Sequence, residues 1–260
     1  MGRLFKHEFF KLFNSLTFKV LLGISVGYAV LNAFLLGMLR AFADVLLGSG
    51  AGGAIGLGFA GSYMALADST LQIFFAILIV ALVCAELKSR TIKITALADY
   101  SRGEIYFAKF LAMITGVTIF ALIQSIVMIA VTAGLFGWGK PVTAESILMD
   151  GFGIFFMGLL LCCAVAAMFN FCAYWTKSAA WVIVIAIFLP VVVTLGVTII
   201  TVISEPVGEV FMKLSYPTTM AFFFGDRSLA NLAYYIVVTV TMLVGFTLGG
   251  YFIFRKQEIK

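Results

Sequence analysis

Residues Ala85 to Phe110 read AELKSRTIKITALADYSRGEIYFAKF. Five basic and three acidic side chains fall in this one stretch, in a chain of 260 residues of which only 11% are charged and 63% are hydrophobic. Soluble domains carry roughly 25% charged residues. A chain this poor in charge has too little polar surface to face water all round, so lipid is its expected solvent. The stretch then reads as the sizeable polar loop between two membrane spans.

Working outward, long uncharged runs appear on both sides. Val20–Leu39, Phe110–Gly139, Gly151–Thr176, Ser178–Ser204 and Ser228–Phe254 contain no Asp, Glu, Lys or Arg. Each meets the roughly 20 apolar residues that a helix needs to cross a 30 Å hydrocarbon core. Ser69–Ala85 makes a sixth span if it begins near Ser62 with Asp68 at the interface. The expected spans are 18–39, 64–86, 108–135, 152–175, 179–203 and 230–254. Val45–Ala67 holds seven glycines between Gly48 and Gly61. Glycine disfavours helix by about 1 kcal/mol per residue, so a flexible outer loop is expected there, with a re-entrant segment as the alternative.

Lys and Arg set the orientation. With six spans both termini share a side. Arg3, Lys6, Lys11, Lys19, Lys88, Arg90, Lys93, Arg102, Lys109, Lys177, Arg255, Lys256 and Lys260 fall on that side, and Arg40, Lys140, Lys213 and Arg227 on the other. The thirteen-to-four split puts the termini and the opening stretch in the cytoplasm, with the chain expected to be multi-pass in the plasma membrane. The net charge of +5 reads as contact with anionic lipid headgroups and not with nucleic acid.

Residues 1–17 precede the first span as an amphipathic segment. Phe5, Phe9, Leu12, Phe13 and Leu16 fall on one helical face, and Arg3, His7, Lys11 and Asn14 on another. The pattern predicts a helix lying in the headgroup plane, phenylalanines down and cations up. Its following apolar run is too long for a cleaved signal peptide, so it is expected to remain as span one.

Most catalytic chemistry lacks its residues. The one histidine, His7, lies outside every span, which argues against a zinc or Ser-His site in the membrane. Gly225-Asp226 has no second mid-span aspartate to form a dyad. Gly48–Gly53, GSGAGG, matches a dinucleotide fingerprint on paper, but opens no βαβ unit. Gly139-Lys140 is followed by Pro141, so no ATP-binding P-loop is formed. Cys84, Cys162, Cys163 and Cys172 all lie in spans and read as small apolar packing.

No ionisable group is expected near the middle of a span. Lys19, Asp68 and Glu86 sit near span ends, where they are expected to reach water. Ion-coupled transporters keep such groups in the pathway, so energy for any transport is expected from elsewhere. Neutral mid-span polar residues are Gln124, Ser125, Asn170, Thr194, Thr198 and Thr201. They serve either interhelical hydrogen bonding or a mildly polar pathway, for which Gln124, Asn170, Thr194 and Thr198 are the candidates. Gly23-x-x-x-Gly27 and Gly245-x-x-x-Gly249 offer close helix approach, and Pro190 offers a kink.

Within the opening stretch, Thr91–Ala98 is expected to make two short helical turns, and Asp99–Gly103 carries turn residues. Ser101 and Glu104 have the spacing of a capping box for the third span. Apolar Ile92, Ile94 and Leu97 among charges suggest a knob that docks into another protein.

At these residues the chain resembles the ABC-2 type exporter permeases. Glu86, Thr91, Ile92, Lys93, Leu97, Ser101, Arg102, Glu104, Ile105 and Lys109 match that family's pattern of an acidic residue at the end of span two followed by a segment akin to GTIK.LL..P.SR.EI...K. Arg90 stands where glycine is usual, and Tyr100 where proline is common. The N-terminal EFFKLFNS is similar to the family's elbow helix, with Asn14 in place of a basic residue, and YFIFRKQEIK to its tail.

The resemblance implies an all-α integral membrane fold: six transmembrane helices, an interfacial elbow helix at 1–17, a cytoplasmic coupling helix within 87–107 and an outer cap at 204–229. SYPTTMAFFFGD, Ser215–Asp226, suits an aromatic external gate in that cap. It further implies a dimer with a second copy or a paralogue, and a separate cytoplasmic ABC ATPase. That ATPase would be gripped through Glu86, Arg90, Thr91, Ile92, Lys93, Ile94, Thr95, Leu97 and Arg102, and would bind the ATP and Mg for which this chain has no motif. No cofactor is expected in the chain itself, which is not an enzyme. The substrate class it suggests is amphipathic or antimicrobial peptides, with the 27 phenylalanines and 11 methionines as an adaptable surface. Efflux of a lipid-linked glycan, a drug or sodium, or a non-transporting anchor or sensor subunit, are the alternatives.

Overall fold

The computed structural model describes residues 2–47, 66, 69–89, 100–136, 154–215 and 229–256. Among these residues there is no strand. The helices are α1 (Gly2–Asn14), α2 (Leu16–Leu47), α3 (Ser69–Ile79), α4 (Ala85–Ser89), α5 (Arg102–Phe136), α6 (Ile154–Thr176), α7 (Ala179–Ile203), α8 (Glu205–Leu214) and α9 (Leu229–Lys256). A π-helical turn, Val80–Cys84, joins α3 to α4 without a break.

Six helical stretches are long and apolar enough to cross a membrane: Leu16–Leu39, Thr70–Leu87, Arg102–Leu135, Phe155–Thr176, Ala179–Ile203 and Asn231–Lys256. These are the six expected from the uncharged runs, and the all-α membrane fold follows from them. Two ends run well past the expectation. α5 begins at Arg102, six residues before 108, and α2 runs on to Leu47, past 39. The segments 48–65 and 90–99, with the glycine-rich loop and most of the coupling segment, lie outside the described residues.

Local chemistry sets the helix ends. Ser15 separates α1 from α2, and its Oγ accepts the Phe18 backbone N–H at 3.1 Å, as an N-cap does. The capping box at the start of α5 is present. Ser101 Oγ accepts the Glu104 N–H at 3.2 Å, and Glu104 Oε2 accepts the Ser101 N–H at 3.0 Å. α6 ends where Lys177 turns left-handed, at φ 52°. Pro190 lies inside α7, which continues through it. α8 starts with Pro206 in its first turn, where the missing N–H costs nothing.

α6 is the central helix, packed against α9, α5, α3 and α7. Its Ala164, Ala166, Ala167, Phe169 and Ala173 are wholly buried, and the small side chains let its neighbours come close. The peripheral helices show apolar groups outward instead: Phe188, Val192 and Leu195 on α7, and Val237, Val244 and Phe252 on α9. In lipid such exposure carries no hydrophobic penalty, which is why these sequences are apolar all round.

The two G-x-x-x-G pairs are mostly unused within the chain. A Cβ at Gly23, Gly27 or Gly245 would meet nothing within 4 Å, and only at Gly249 would one meet a neighbour, Phe171 at 3.1 Å.

Candidate functional site

The first turns of α5 form a hub where four other helices meet. Lys109 is at its centre, 6% exposed, and its Nζ donates to Glu8 Oε1 of α1 at 2.8 Å. The same ammonium donates to Glu86 of α4, which also accepts from Lys11 of α1. Glu8 and Glu86 are 6% and 5% exposed. The chain of charges runs Glu8, Lys109, Glu86, Lys11, and both its ends lie on α1, three residues apart. Signs alternate, so every carboxylate touches a cation. Burying a charge without a partner costs several kcal/mol, and alternation is what makes this cluster tolerable.

Glu86 was expected near water at its span end; it is instead buried, because α1 covers it. α1 presents Leu4, Glu8 and Leu12 as one buried stripe at i, i+4, i+8. Leu12 sits over Gly116 of α5 beside Leu78 of α3; a Cβ on Gly116 would lie 3.3 Å from Leu12 Cδ2 and 3.1 Å from Leu78 Cδ2. So Leu12 faces the bundle and not the phenylalanine side on which the helical wheel placed it. Phe5, Phe9 and Phe13 form a half-buried ladder beside that stripe, with ring centroids 5.7 and 4.6 Å apart, continuing through Phe18 to Phe120. Lys11, read as a headgroup-facing cation, turns to Glu86, while its side chain stays 43% exposed.

The hub continues one turn toward the start of α5. Tyr106 is wholly buried; its Oη donates to the Thr247 carbonyl of α9 at 2.8 Å and accepts from Asn170 Nδ2 of α6 at 3.3 Å. Tyr106, Tyr174, Tyr251 and Phe254 pack as an aromatic cluster around it. Gly250 makes this possible: a Cβ there would lie 2.5 Å from Tyr106 Oη. Arg102 Nη1 donates to the Arg255 carbonyl at 2.9 Å, closing the end of α9.

The segment between spans two and three is therefore tied at both ends to neighbouring helices of the bundle. Glu86 fixes its entry, and Arg102, Tyr106 and Lys109 fix its exit. Of the residues expected to couple to a partner, Glu86 and Arg102 are placed here, Glu86 buried and Arg102 exposed. Arg90, Thr91, Ile92, Lys93, Ile94, Thr95 and Leu97 lie outside the described residues.

The four pathway candidates do not gather. Asn170 is buried and used by Tyr106. Gln124 is buried on α5, with no hydrogen-bond partner for its Oε1 among the described residues. Thr194 and Thr198 are exposed on α7, where Thr198 Oγ1 donates back to the Thr194 carbonyl at 2.8 Å. They are not inside this chain's bundle.

Glu8, Lys11, Lys109 and Tyr106 are the residues that sequence reasoning missed as a group. Glu8 interrupts the Leu4-Leu12 stripe at the one spacing that keeps it on the buried face. Lys109 sits amid Tyr106, Phe107, Ala108 and Phe110. Each is a charge inside an apolar periodicity, the signal that marks a paired buried ion.

These features define a class: an all-α membrane protein of six spans whose N-terminal helix is bolted to spans two and three by a buried ion cluster. The chain belongs to the DUF2705 family, described as a protein of unknown function, whose model matches residues 17–260. That match starts after α1, so Glu86, Lys109 and Tyr106 fall inside it while Glu8 and Lys11 do not. No curated protein matches the chain.

Proposed function

We propose that the chain is the membrane permease subunit of an ATP-driven exporter of the ABC-2 type, moving amphipathic peptides out of the cell. A separate cytoplasmic ATPase binds ATP and Mg and grips the 87–107 segment. Two permease chains, alike or related, make the working unit. The observation that carries this reading is the double rooting of that segment. A handle can transmit force only if its ends do not slip. Here the ends are held by Glu86, Lys109 and Arg102 to α1 and α9, so a push on the handle reaches spans one, two, three and six together. Differential contact of the ATPase in its two states would then shift the spans. The resemblance in the opening stretch, the elbow-like α1 and the six spans support the same reading.

The scatter of Gln124, Asn170, Thr194 and Thr198 favours a second reading, in which the chain is an anchor or sensor subunit with no pathway of its own. One experiment separates the two. The chain is purified from its native membrane, reconstituted with any copurifying ATPase, and assayed for ATP turnover with and without an amphipathic cationic peptide. Peptide-stimulated turnover that Ile94→Asp and Leu97→Asp uncouple from peptide transport, with membrane insertion intact, supports export. A chain that brings down no nucleotide-hydrolysing subunit overturns it.

A further inference from the structure

Beyond the hub, the far end of span five carries a feature that the export reading does not use. α7 ends at Ile203, Ser204 breaks the helix, and α8 begins at Glu205. The corner is tight. A Cβ at Gly208 would lie 2.4 Å from the Thr201 Cα, so only glycine lets α8 seat on α7 there.

α8 divides into three sectors around its axis. Gly208 and Met212 occupy the sector packed toward α7, Gly208 buried and Met212 half-buried. Glu205, Glu209 and Lys213 occupy a polar sector. Val207, Val210, Phe211 and Leu214 occupy an apolar sector, spaced i, i+3, i+4, i+7 and each about half exposed. The centres of the polar and apolar sectors lie roughly 150° apart at 100° per residue. Water on one side and hydrocarbon on the other suits both sectors.

Depth points to the same surrounding. Trp175 and Trp181 are exposed around the Lys177 turn at the opposite end of α7, the position of an interfacial aromatic belt. From Trp181 to Ser204 the helix rises about 34 Å, close to the roughly 30 Å of hydrocarbon. The corner at Ser204 therefore falls at the other membrane surface. The apolar sector of α8 follows directly on Ile199, Val202 and Ile203, the outward end of α7.

We infer that α8 is an interfacial helix, with Val207, Val210, Phe211 and Leu214 sunk among lipid acyl chains at the far membrane surface and Glu205, Glu209 and Lys213 in water. Two carboxylates and one lysine leave the helix at a net charge of −1. Its partner is therefore the hydrocarbon of the leaflet and not an anionic headgroup. In place of an aqueous cap over the protein, this part of the 204–229 segment is a membrane-surface element fixed rigidly to span five. The inference does not depend on the export reading.

Spin labels at Phe211→Cys and Glu209→Cys test it, with the unsubstituted protein as background for the four native cysteines. The full chain is reconstituted in phosphatidylcholine–phosphatidylglycerol liposomes, and collision of each label with oxygen and with a water-soluble nickel chelate is measured. The expected result is a reversal: oxygen contact exceeds nickel contact at 211, and nickel exceeds oxygen at 209. The reversal persists when phosphatidylglycerol is omitted. Nickel dominance at both positions would place α8 in water and overturn the inference. So would a label at 211 that neither quencher reaches, which would mean protein covers the stripe. Loss of the reversal without phosphatidylglycerol would overturn the acyl-chain assignment.

Discussion

Glu8 and Lys109, 101 positions apart in the chain, meet at 2.8 Å inside the protein. Lys109 serves two carboxylates at once. Lys109→Met takes the shared cation away from both Glu8 and Glu86, the latter keeping the half-exposed Lys11. Stability should fall by about 3–5 kcal/mol, the cost of breaking a buried pair. Glu8→Gln keeps the Lys109–Glu86 contact and should cost less, about 1–3 kcal/mol. Lys11→Ala removes a partner that water can partly replace, and should cost under about 1 kcal/mol. Thermal unfolding of the purified chain in micelles gives the ranking; equal losses at Lys109 and Lys11 would contradict the geometry.

The Tyr106–Gly250 contact predicts a coupling between two substitutions. Gly250→Ala puts a methyl 2.5 Å from Tyr106 Oη and should destabilise by about 1–3 kcal/mol. With the hydroxyl removed by Tyr106→Phe, the nearest remaining atom is Cζ at 3.4 Å. The cost of Gly250→Ala should then shrink by at least about 0.5 kcal/mol in a double-mutant cycle. Additive losses would mean that the contact is not what Gly250 accommodates.

Two other glycines predict opposite signs. At Gly208 an added Cβ meets backbone at 2.4 Å, and Gly208→Ala should lower the unfolding temperature through overpacking that no rotamer relieves. At Gly23 it meets nothing within 4 Å, and Gly23→Ala should be neutral or raise stability by up to about 1 kcal/mol. The two variants compared in the same micelles check this.

Lys177 holds a left-handed backbone at φ 52°, a region that costs a side chain with a Cβ about 1 kcal/mol or more. Lys177→Gly relieves that strain but gives the unfolded chain more freedom, a cost of about 0.4–1 kcal/mol, so stability should hold level or rise by up to about 1 kcal/mol. A lowered unfolding temperature would show instead that the lysine side chain holds the turn.

Much of the fold was legible because apolar run length is a direct physical requirement of the bilayer. The six runs, the Ser101–Glu104 box and the amphipathic N-terminal helix all depend on local sequence. The hub did not reveal itself, for two reasons. Glu86 and Lys109 read as span-end charges because nothing local says that α1 will cover them. Leu12 sits on the same wheel face as Phe13 to within one residue, and only the contact with Gly116 assigns it inward. At the other end of span five, the uncharged run stops at Ser204, yet the α8 corner depends on Gly208 meeting Thr201 across the break, which no periodicity encodes.

The π-helical turn at Val80–Cys84 fits one more residue into span two than an α-helical path would take, with the Ala85 N–H reaching back to the Val80 carbonyl. One residue is about 100° of rotation. Wound as α-helix with every residue kept, the same span would still cross the bilayer and satisfy every hydropathy criterion. Its terminal carboxylate would swing about a quarter-turn away from both lysines, and the inserted protein would be threaded correctly yet left unlocked at its base.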